Sequence, residues 1–437
     1  MAIIFIIVAP SIILYSQGYR FDVKKMMFVE TGAIYLKVYP EESTIFLNNE
    51  KQKETSFFSR DLLIQNLLPQ NYLIRIEKEG YHFWEKNLEV QVGLATEAKY
   101  ITMFKEDNPF NLVKEDIENF FPSLDGNHFL LLTSSNEIYE YKESTKELKR
   151  ILNKTQTPYN ISKITFSNSR NALVETSTGL YYLLTPDNQI SLIKSFSSEV
   201  KNIYFDPKDE DYFIYQIGNS VYRFNPKTEK TPKLISREKI DHFNILNNGI
   251  IALSNKKIVS LKDLTEPEEV IFDGSFDYKE DSLYEILNIE NYLFLLEDKK
   301  NLYFFNKENK SFDLKLEGVS EIKYTPFFNK ILFYDNNKIW LMFLKKEDSP
   351  FFKEAYEIIE LSSYSNKIDN LKWLNGFYFI LTINNEVFIS EIDNRSNINI
   401  FNLDKDNTSK IFFDGNIKKI FLLDQKSFLV SQDKILP

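Results

Sequence analysis

No cysteine stands anywhere in the 437-residue chain. Disulfides, thiolate metal sites and cysteine nucleophiles are thereby excluded together, although the compartment stays open. Histidine is almost as scarce. His82, His128 and His242 are the only three, and no two of them have ligand spacing, so a zinc site is not expected. The 12 glycines are too few for glycine-rich cofactor cradles in several places. No Gly-x-Ser-x-Gly elbow, phosphate loop or dinucleotide fingerprint is found. A basic run is missing too, and the formal net charge is −10. A nucleic-acid partner would ask for a basic face or stripe, so none is expected. The acidity reads as solubility and self-repulsion.

What the chain has in quantity is apolar and aromatic surface. Hydrophobic residues make up 43% and aromatics 15%, with 38 Phe and 25 Tyr. That is enough to fill real cores, and Phe and Tyr favour strands. At roughly 100–200 residues per domain, the length allows two to four domains.

Ala2 to Ser16 reads AIIFIIVAPSIILYS, without a charge. As a helix it would cover only about 22 Å of a hydrocarbon core of about 30 Å. Extension through Gln17, Gly18 and Tyr19 would bring Tyr15 and Tyr19 to an interface, where aromatics are favoured. Pro10 is tolerable in a membrane helix. Residues 1–19 are therefore read as an uncleaved, single-pass transmembrane anchor. The alternatives are a signal peptide, which here lacks a basic leader and a small-x-small cleavage site, and a buried element of a soluble domain. Arg20, Lys24 and Lys25 follow the segment and no cation precedes it. Taken literally, that asymmetry would leave the body in the cytoplasm. The short span motivates the expectation that a basic leader is missing before Met1.

Residues 31–105 read as a small β-sandwich. Ala33–Tyr39 opens it and Pro40 ends the run, because proline cannot donate to a ladder. Ser43–Leu47, Tyr72–Glu77, His82–Val90 and Glu97–Phe104 read as further strands. Asn48-Asn49, Leu68–Asn71 and Glu79-Gly80 supply turns.

The turn phrases carry a resemblance. Pro40-Glu41-Glu42-Ser43 stands where PEGA domains carry Pro-Glu-Gly-Ala, with Glu42 and Ser43 departing. Leu67-Leu68-Pro69-Gln70-Asn71-Tyr72 resembles the family's Leu-x-Pro-Gly-x-Tyr, with Gln70 in place of glycine. Lys78-Glu79-Gly80-Tyr81 fits Lys-x-Gly-Tyr, and Trp84 follows where an aromatic is common. Ala9-Pro10 and Tyr19-Arg20-Phe21-Asp22 look like the head of a bacterial group in which a membrane helix precedes a PEGA module and a propeller-like body. The resemblance implies an exported, envelope-facing protein and no catalysis. Family knowledge points loosely to cell-surface interaction. Pro40, Pro69 and Gly80 are read as turn formers, and Tyr72, Tyr81 and Trp84 as core.

From residue 108 to 437 the sequence repeats. Units of an apolar strand, a turn, a second apolar strand, a third strand and a more polar fourth begin near Ile117, Ile161, Ile203, Ile240, Leu283, Val319, Ile368 and Ile417. A period of about 40–45 residues is that of four-stranded propeller blades. Such blades also protect their edges. The expected fold is therefore all-β: a short membrane helix, a PEGA-like sandwich and a β-propeller of eight blades, with seven as the alternative. The last unit is short, with strands expected at 417–423, 427–431 and 434–436. Phe110–Lys114 precedes the first unit without a blade of its own. Closure of the ring by 110–114 against 417–436 is expected. Phe121-Pro122-Ser123-Leu124-Asp125-Gly126 resembles the Ser-Pro-Asp-Gly turn of TolB-like propellers, with Leu124 for the proline.

Candidate chemistry is thin. Asp209-Glu210-Asp211 and the cluster Glu266, Glu268 and Glu269 around Pro267 could bind calcium or serve as acid and base. Neither follows the EF-hand order, and solvated loops explain both. Trp340 and Trp373 could line a face but are expected to pack between blades. Asp393-Asn394-Arg395 reads as a turn that Arg395 fixes by hydrogen bonding. No catalytic, metal or cofactor residue is assigned.

The expected function is that of a cell-membrane protein with an extracytoplasmic body, presenting a non-catalytic propeller to an envelope protein or a surface polysaccharide. An extracytoplasmic enzyme acting on polysaccharide at the propeller channel is the alternative, and a purely structural spacer a third reading.

Overall fold

The computed structural model describes residues 2–437 apart from 56–59, 194, 195, 197, 198, 237, 238, 247, 248, 255, 262–268, 273–277, 280, 281, 290, 291, 307–310, 326, 327, 348–352, 404 and 406. Among the described residues the chain is all-β after one helix, Ala2–Ser16. No helix among the described residues is long and apolar enough to cross a membrane. The helix does not run on through Tyr19 as the sequence suggested. Tyr19–Asp22 instead forms a hairpin strand with Met27–Glu30. The Arg20 guanidinium sits 3.5 Å from the Tyr15 ring centroid and donates to the carbonyls of Tyr15 and Tyr19, which ends the helix before Tyr19.

Residues 32–102 build two facing sheets. One orders Asp61–Leu67, Gly32–Tyr39 and Ala95–Thr102, with the last two strands parallel. The other orders Glu50–Glu54, Thr44–Leu47, Asn71–Glu77 and Trp84–Glu89. Apolar residues alternate inward along Gly32–Tyr39, where Ile34, Leu36 and Val38 are fully buried. The strands Glu50–Glu54 and Asp61–Leu67 were not anticipated. Glu50–Glu54 is exposed at every position, so it has no apolar period to read and is held by backbone pairing to Thr44–Leu47.

The rest of the described chain forms eight four-stranded antiparallel sheets in succession, the first beginning at Ile117 and the seventh at Ile368. Burial follows strand position. Second strands such as His128–Thr133 and Tyr378–Ile383 are buried at every residue, because both faces pack on neighbouring sheets. The fourth strand Glu147–Leu152 is mostly exposed. First strands of neighbouring sheets adjoin, as Ile368–Trp373 does Glu321–Thr325 and Thr408–Asp414.

Each gap between consecutive sheets holds its own hydrophobic cluster. Val174 and Leu132 meet between the first two sheets, and Phe333 and Phe294 between the fifth and sixth. Phe129, Leu131, Phe421 and Phe428 close the last gap, from the eighth sheet back to the first. The body is thus a β-propeller, with its first strands innermost.

The eighth sheet corrects one expectation. Its strands are Thr408–Asp414, Lys419–Asp424 and Ser427–Ser431, and Lys434–Leu436 is not a strand. The region around Ile417 is a turn rather than a strand start. The Asp414 carboxylate accepts from the backbone of Asn416 and Ile417, which reverses the chain there. Phe110–Lys114 is the outermost strand of this sheet, with Leu112 opposite Leu429. Asparagine replaces scarce glycine at tight turns. Asn384 and Asn385 take φ of 51° and 66° between Tyr378–Ile383 and Glu386–Glu391, as a two-residue hairpin requires.

Candidate binding site at the sandwich–propeller joint

The sandwich is fused to the seventh and eighth sheets by one continuous core. Trp84, Ile101, Met103 and Phe104 share a cluster with Tyr378, Ile389, Phe401 and Ile411. A buried polar knot sits within this contact. Trp84, Lys86 and Leu88 alternate inward from one strand, so Lys86 occupies a core position and is fully buried. Its ammonium lies 2.6 Å from Glu391 Oε1 and donates to the carbonyls of Asp393 (2.6 Å) and Asn397 (2.9 Å). The Trp84 indole donates to the other Glu391 oxygen at 2.9 Å, and Asn399 donates to Oε1 through its backbone and side-chain nitrogens. Burial pushes the Glu391 carboxyl above its usual range, against the pull of the Lys86 charge.

Two further bonds tie the units. Arg395 chelates Asp393 and extends one N–H to the carbonyl of Glu97 at 2.8 Å. The Tyr378 hydroxyl donates to Tyr100 O at 3.1 Å and accepts from Thr102 N at 2.9 Å. Burial, reinforced by Glu391, holds that phenol protonated well above the ordinary tyrosine range.

Beside the knot, the two units leave a cleft of about 280 Å³ whose lining includes Tyr39, Tyr100, Phe328, Phe377, Lys37 and Arg60. Tyr100 and Phe377 stack across the boundary with centroids 3.5 Å apart. The Arg60 guanidinium lies over the Tyr39 ring at 5.1 Å and bonds Glu41. Glu41 is held below the usual carboxylate range by backbone and Arg60 hydrogen bonds. Lys37 faces Asp61 at 4.0 Å. The rim is thus polar and charge-balanced, and the wall is aromatic, which suits a partner that combines hydroxyl or amide groups with apolar faces.

Residues singled out from the sequence scatter across the molecule. His82 lies near Phe401, and its buried Nε2 has no hydrogen-bond partner among the described residues. His128 contacts Glu140 through Nδ1 at 2.8 Å. His242 accepts from Ile286 N at 3.4 Å, and burial lowers it to about 4. Glu210 caps the turn at Asn168 and Ser169 across a blade gap. Burial opposes its charge, but these hydrogen bonds prevail and hold it at about 2. Asp211 pairs with Lys227, and no group of three or more potential metal ligands is present among the described residues. Glu266, Pro267 and Glu268 lie outside the described residues, and Glu269 opens a strand. Trp340 packs between the fifth and sixth sheets. Trp373 packs between the sixth and seventh and donates to Lys323 O. The sequence reading passed over Lys86 and Glu391. The signal for Lys86 was a cation on the inward side of an alternating strand, between Trp84 and Leu88.

No protein-family model matches the chain. It is 22% identical over 317 residues to an uncharacterized protein of Buchnera aphidicola subsp. Schizaphis graminum, covering 65% of this chain and 32% of that one. The chain thus spans about a third of the length of that relative, 32%. Among solved structures it is similar to the WD40 domain of SCAP from fission yeast, at 12% identity, TM-score 0.46, and coverage of 76% of this chain and 100% of that one. Another is YCF48 from Cyanidioschyzon merolae, at 11% identity, TM-score 0.46, and coverage of 74% and 98%. A third is the dihydro-heme d1 dehydrogenase NirN, at 10% identity, TM-score 0.45, and coverage of 76% and 73%.

Proposed function

We propose that this chain is a single-pass, membrane-anchored envelope protein whose extracytoplasmic body is a non-catalytic binding unit. The body is read as an eight-bladed propeller with a PEGA-like sandwich docked on its seventh and eighth blades. The ligand is a protein or a surface polysaccharide, received in the cleft beside the joint. The observation that carries the reading is the joint itself. A shared core and the Lys86–Glu391 knot hold Tyr100 of the sandwich against Phe377 of the propeller, so the cleft walls are fixed before a partner arrives. Preorganised aromatic walls reduce the ordering cost of binding. The uncharged run Ala2–Ser16 supports the anchor.

The full-length chain, purified in mild detergent, tests the proposal against isolated envelope polysaccharide and envelope membrane proteins. Saturable binding is expected, weakened at least tenfold by Tyr100→Ala and by Arg60→Ala. Turnover of a cell-wall glycan, abolished by Glu321→Gln on the innermost strand of the sixth sheet, would replace this reading with the enzyme reading. Glu321 is poorly suited to a general acid. Burial raises it, but hydrogen bonds from Lys323 and Tyr334 outweigh that and hold it low.

A further inference from the structure

Ile214, Arg223 and Lys233 stand on neighbouring strands of the third sheet, each opposite the next. Residues paired across a ladder share one face, and Ile214 packs on the fourth sheet, so this row is turned towards that sheet. Ile250 and Leu261 are paired in the same way on the fourth sheet and face back. The packing between the two sheets is incomplete. A cavity of about 180 Å³ lies there, with the buried Ile214, Ile235, Ile250 and Leu261 as its apolar wall and Asp206, Arg223 and Lys233 on its polar side. Gly249 opens the second strand of the fourth sheet beside this cavity. A Cβ built there would meet no atom within 4 Å, so the space stays open on that side.

Arg223 is fixed from two sides. Its Nε donates to the buried Asp206, and its guanidinium lies over the Tyr212 ring, 3.6 Å from the centroid. The Asp206 carboxylate is held in turn by the backbone nitrogen of Lys208 at 2.9 Å. The two terminal nitrogens of Arg223 have no acceptor among the described residues. A guanidinium edge of that kind matches the two oxygens of a carboxylate, and its fixed position reduces the ordering cost of binding. Lys233 stands directly across the ladder from Arg223, where like charges repel. An anion between them would replace that repulsion with two attractions. Arg223, Lys208 and Lys233 bring three positive charges to the lining against the one negative charge of Asp206, so the polar side is cationic.

We infer that the cavity between the third and fourth sheets binds a small carboxylate with a compact apolar body. The carboxylate accepts from the terminal nitrogens of Arg223, and the body lies against Ile214, Ile235, Ile250 and Leu261. An apolar cavity of about 150 Å³ is enough to take up benzene, so one ring or a branched alkyl group fits the space. The cleft at the sandwich–propeller joint shares no lining residue with this cavity, so either can bind without the other.

The full-length protein in mild detergent decides this with 4-fluorobenzoate, read by fluorine NMR against a detergent blank. Saturable line broadening is expected, reversed by benzoate. 4-Fluorobenzyl alcohol keeps the ring without the charge, and acetate keeps the charge without the ring. Each should bind at least about tenfold more weakly, the scale of one lost charge-assisted or apolar contact. Arg223→Lys keeps a cation for Asp206 but loses the paired N–H groups, and should weaken binding to a similar degree. Gly249→Ile fills the cavity, leaves every charge in place and suits a strand. It should abolish the broadening while unfolding at the same or a higher temperature. No saturable broadening, equal binding of the alcohol or of acetate, or binding that survives both variants unchanged, overturns the assignment.

Discussion

The ammonium of Lys86 lies 2.6 Å from the carboxylate of Glu391, and the two side chains are 0% and 4% exposed. One belongs to the sandwich and the other to the seventh propeller sheet, so the joint between units is an ion pair closed off from water. Buried pairs of this kind are weak sources of net stability but costly to break from one side. Lys86→Met is therefore expected to destabilise the chain by about 3–5 kcal/mol, because Glu391 would lose its counter-charge in a dry site and would have to stay ionised there unpaired or take up a proton. Lys86→Met combined with Glu391→Leu should recover much of that loss. Urea unfolding of the single and double variants measures the coupling. Equal destabilisation by both would show that packing, and not charge, holds the joint.

Acid should loosen the propeller through His242. Burial lowers this imidazole from 6.5 to about 4. The folded state therefore prefers the neutral ring, while the unfolded chain protonates near the ordinary value. The stabilisation is whole above about pH 6.5 and is lost as pH falls through the window down to 4. The loss amounts to about 3 kcal/mol, at 1.36 kcal/mol per unit. His242→Gln should flatten the stability profile across that window and leave it unchanged above. Unfolding midpoints from pH 7 down to 4 give the comparison.

Gly32 begins the first sandwich strand where the backbone passes very close. A Cβ there would lie 2.3 Å from Gln91 O and 2.8 Å from Leu94 O. Both obstacles are backbone atoms, so a rotamer change cannot relieve them. Gly32→Ala should cost about 2 kcal/mol or more, as strain cases do. Gly80→Ala separates close approach from backbone conformation. No atom stands within 4 Å of its Cβ position, but its φ is 76°. It should cost only the smaller left-handed penalty, about 1–2 kcal/mol.

What could be read beforehand followed from local chemistry. The starts at Ile117, Ile161 and Ile368 were legible because an apolar second strand and a polar turn recur after each. Glu50–Glu54 was not legible because it buries nothing, and Thr408–Asp414 because the turn at Asp414 was taken for the strand that follows it. The joint was hidden for a different reason. Trp84 and Glu391 stand 307 residues apart, and no local pattern announces a partner at that distance. Only the odd placement of Lys86 among core residues hinted that a counter-charge had to exist.

The pairing of Phe110–Lys114 with Ser427–Ser431 makes ring closure testable apart from the rest of the fold. Leu112 and Val113 are neighbours on this outermost strand, but they meet different surroundings. Leu112 is 54% exposed. Val113 packs on the cluster of Phe129, Phe421 and Phe428 that joins the eighth sheet to the first. Leu112→Ala should change stability by no more than about 0.5 kcal/mol, as for exposed sites. Val113→Asp places a carboxylate against phenylalanine rings without a partner and should cost about 2–3 kcal/mol. The ends of a ring are also where it opens. The amides of Ser427–Ser431 should exchange hydrogen faster in Val113→Asp, ahead of those of the fully buried second strand Lys330–Tyr334. Uniform acceleration in both strands would mean that the ring unfolds as one unit and that the closing strand is no weaker than any other.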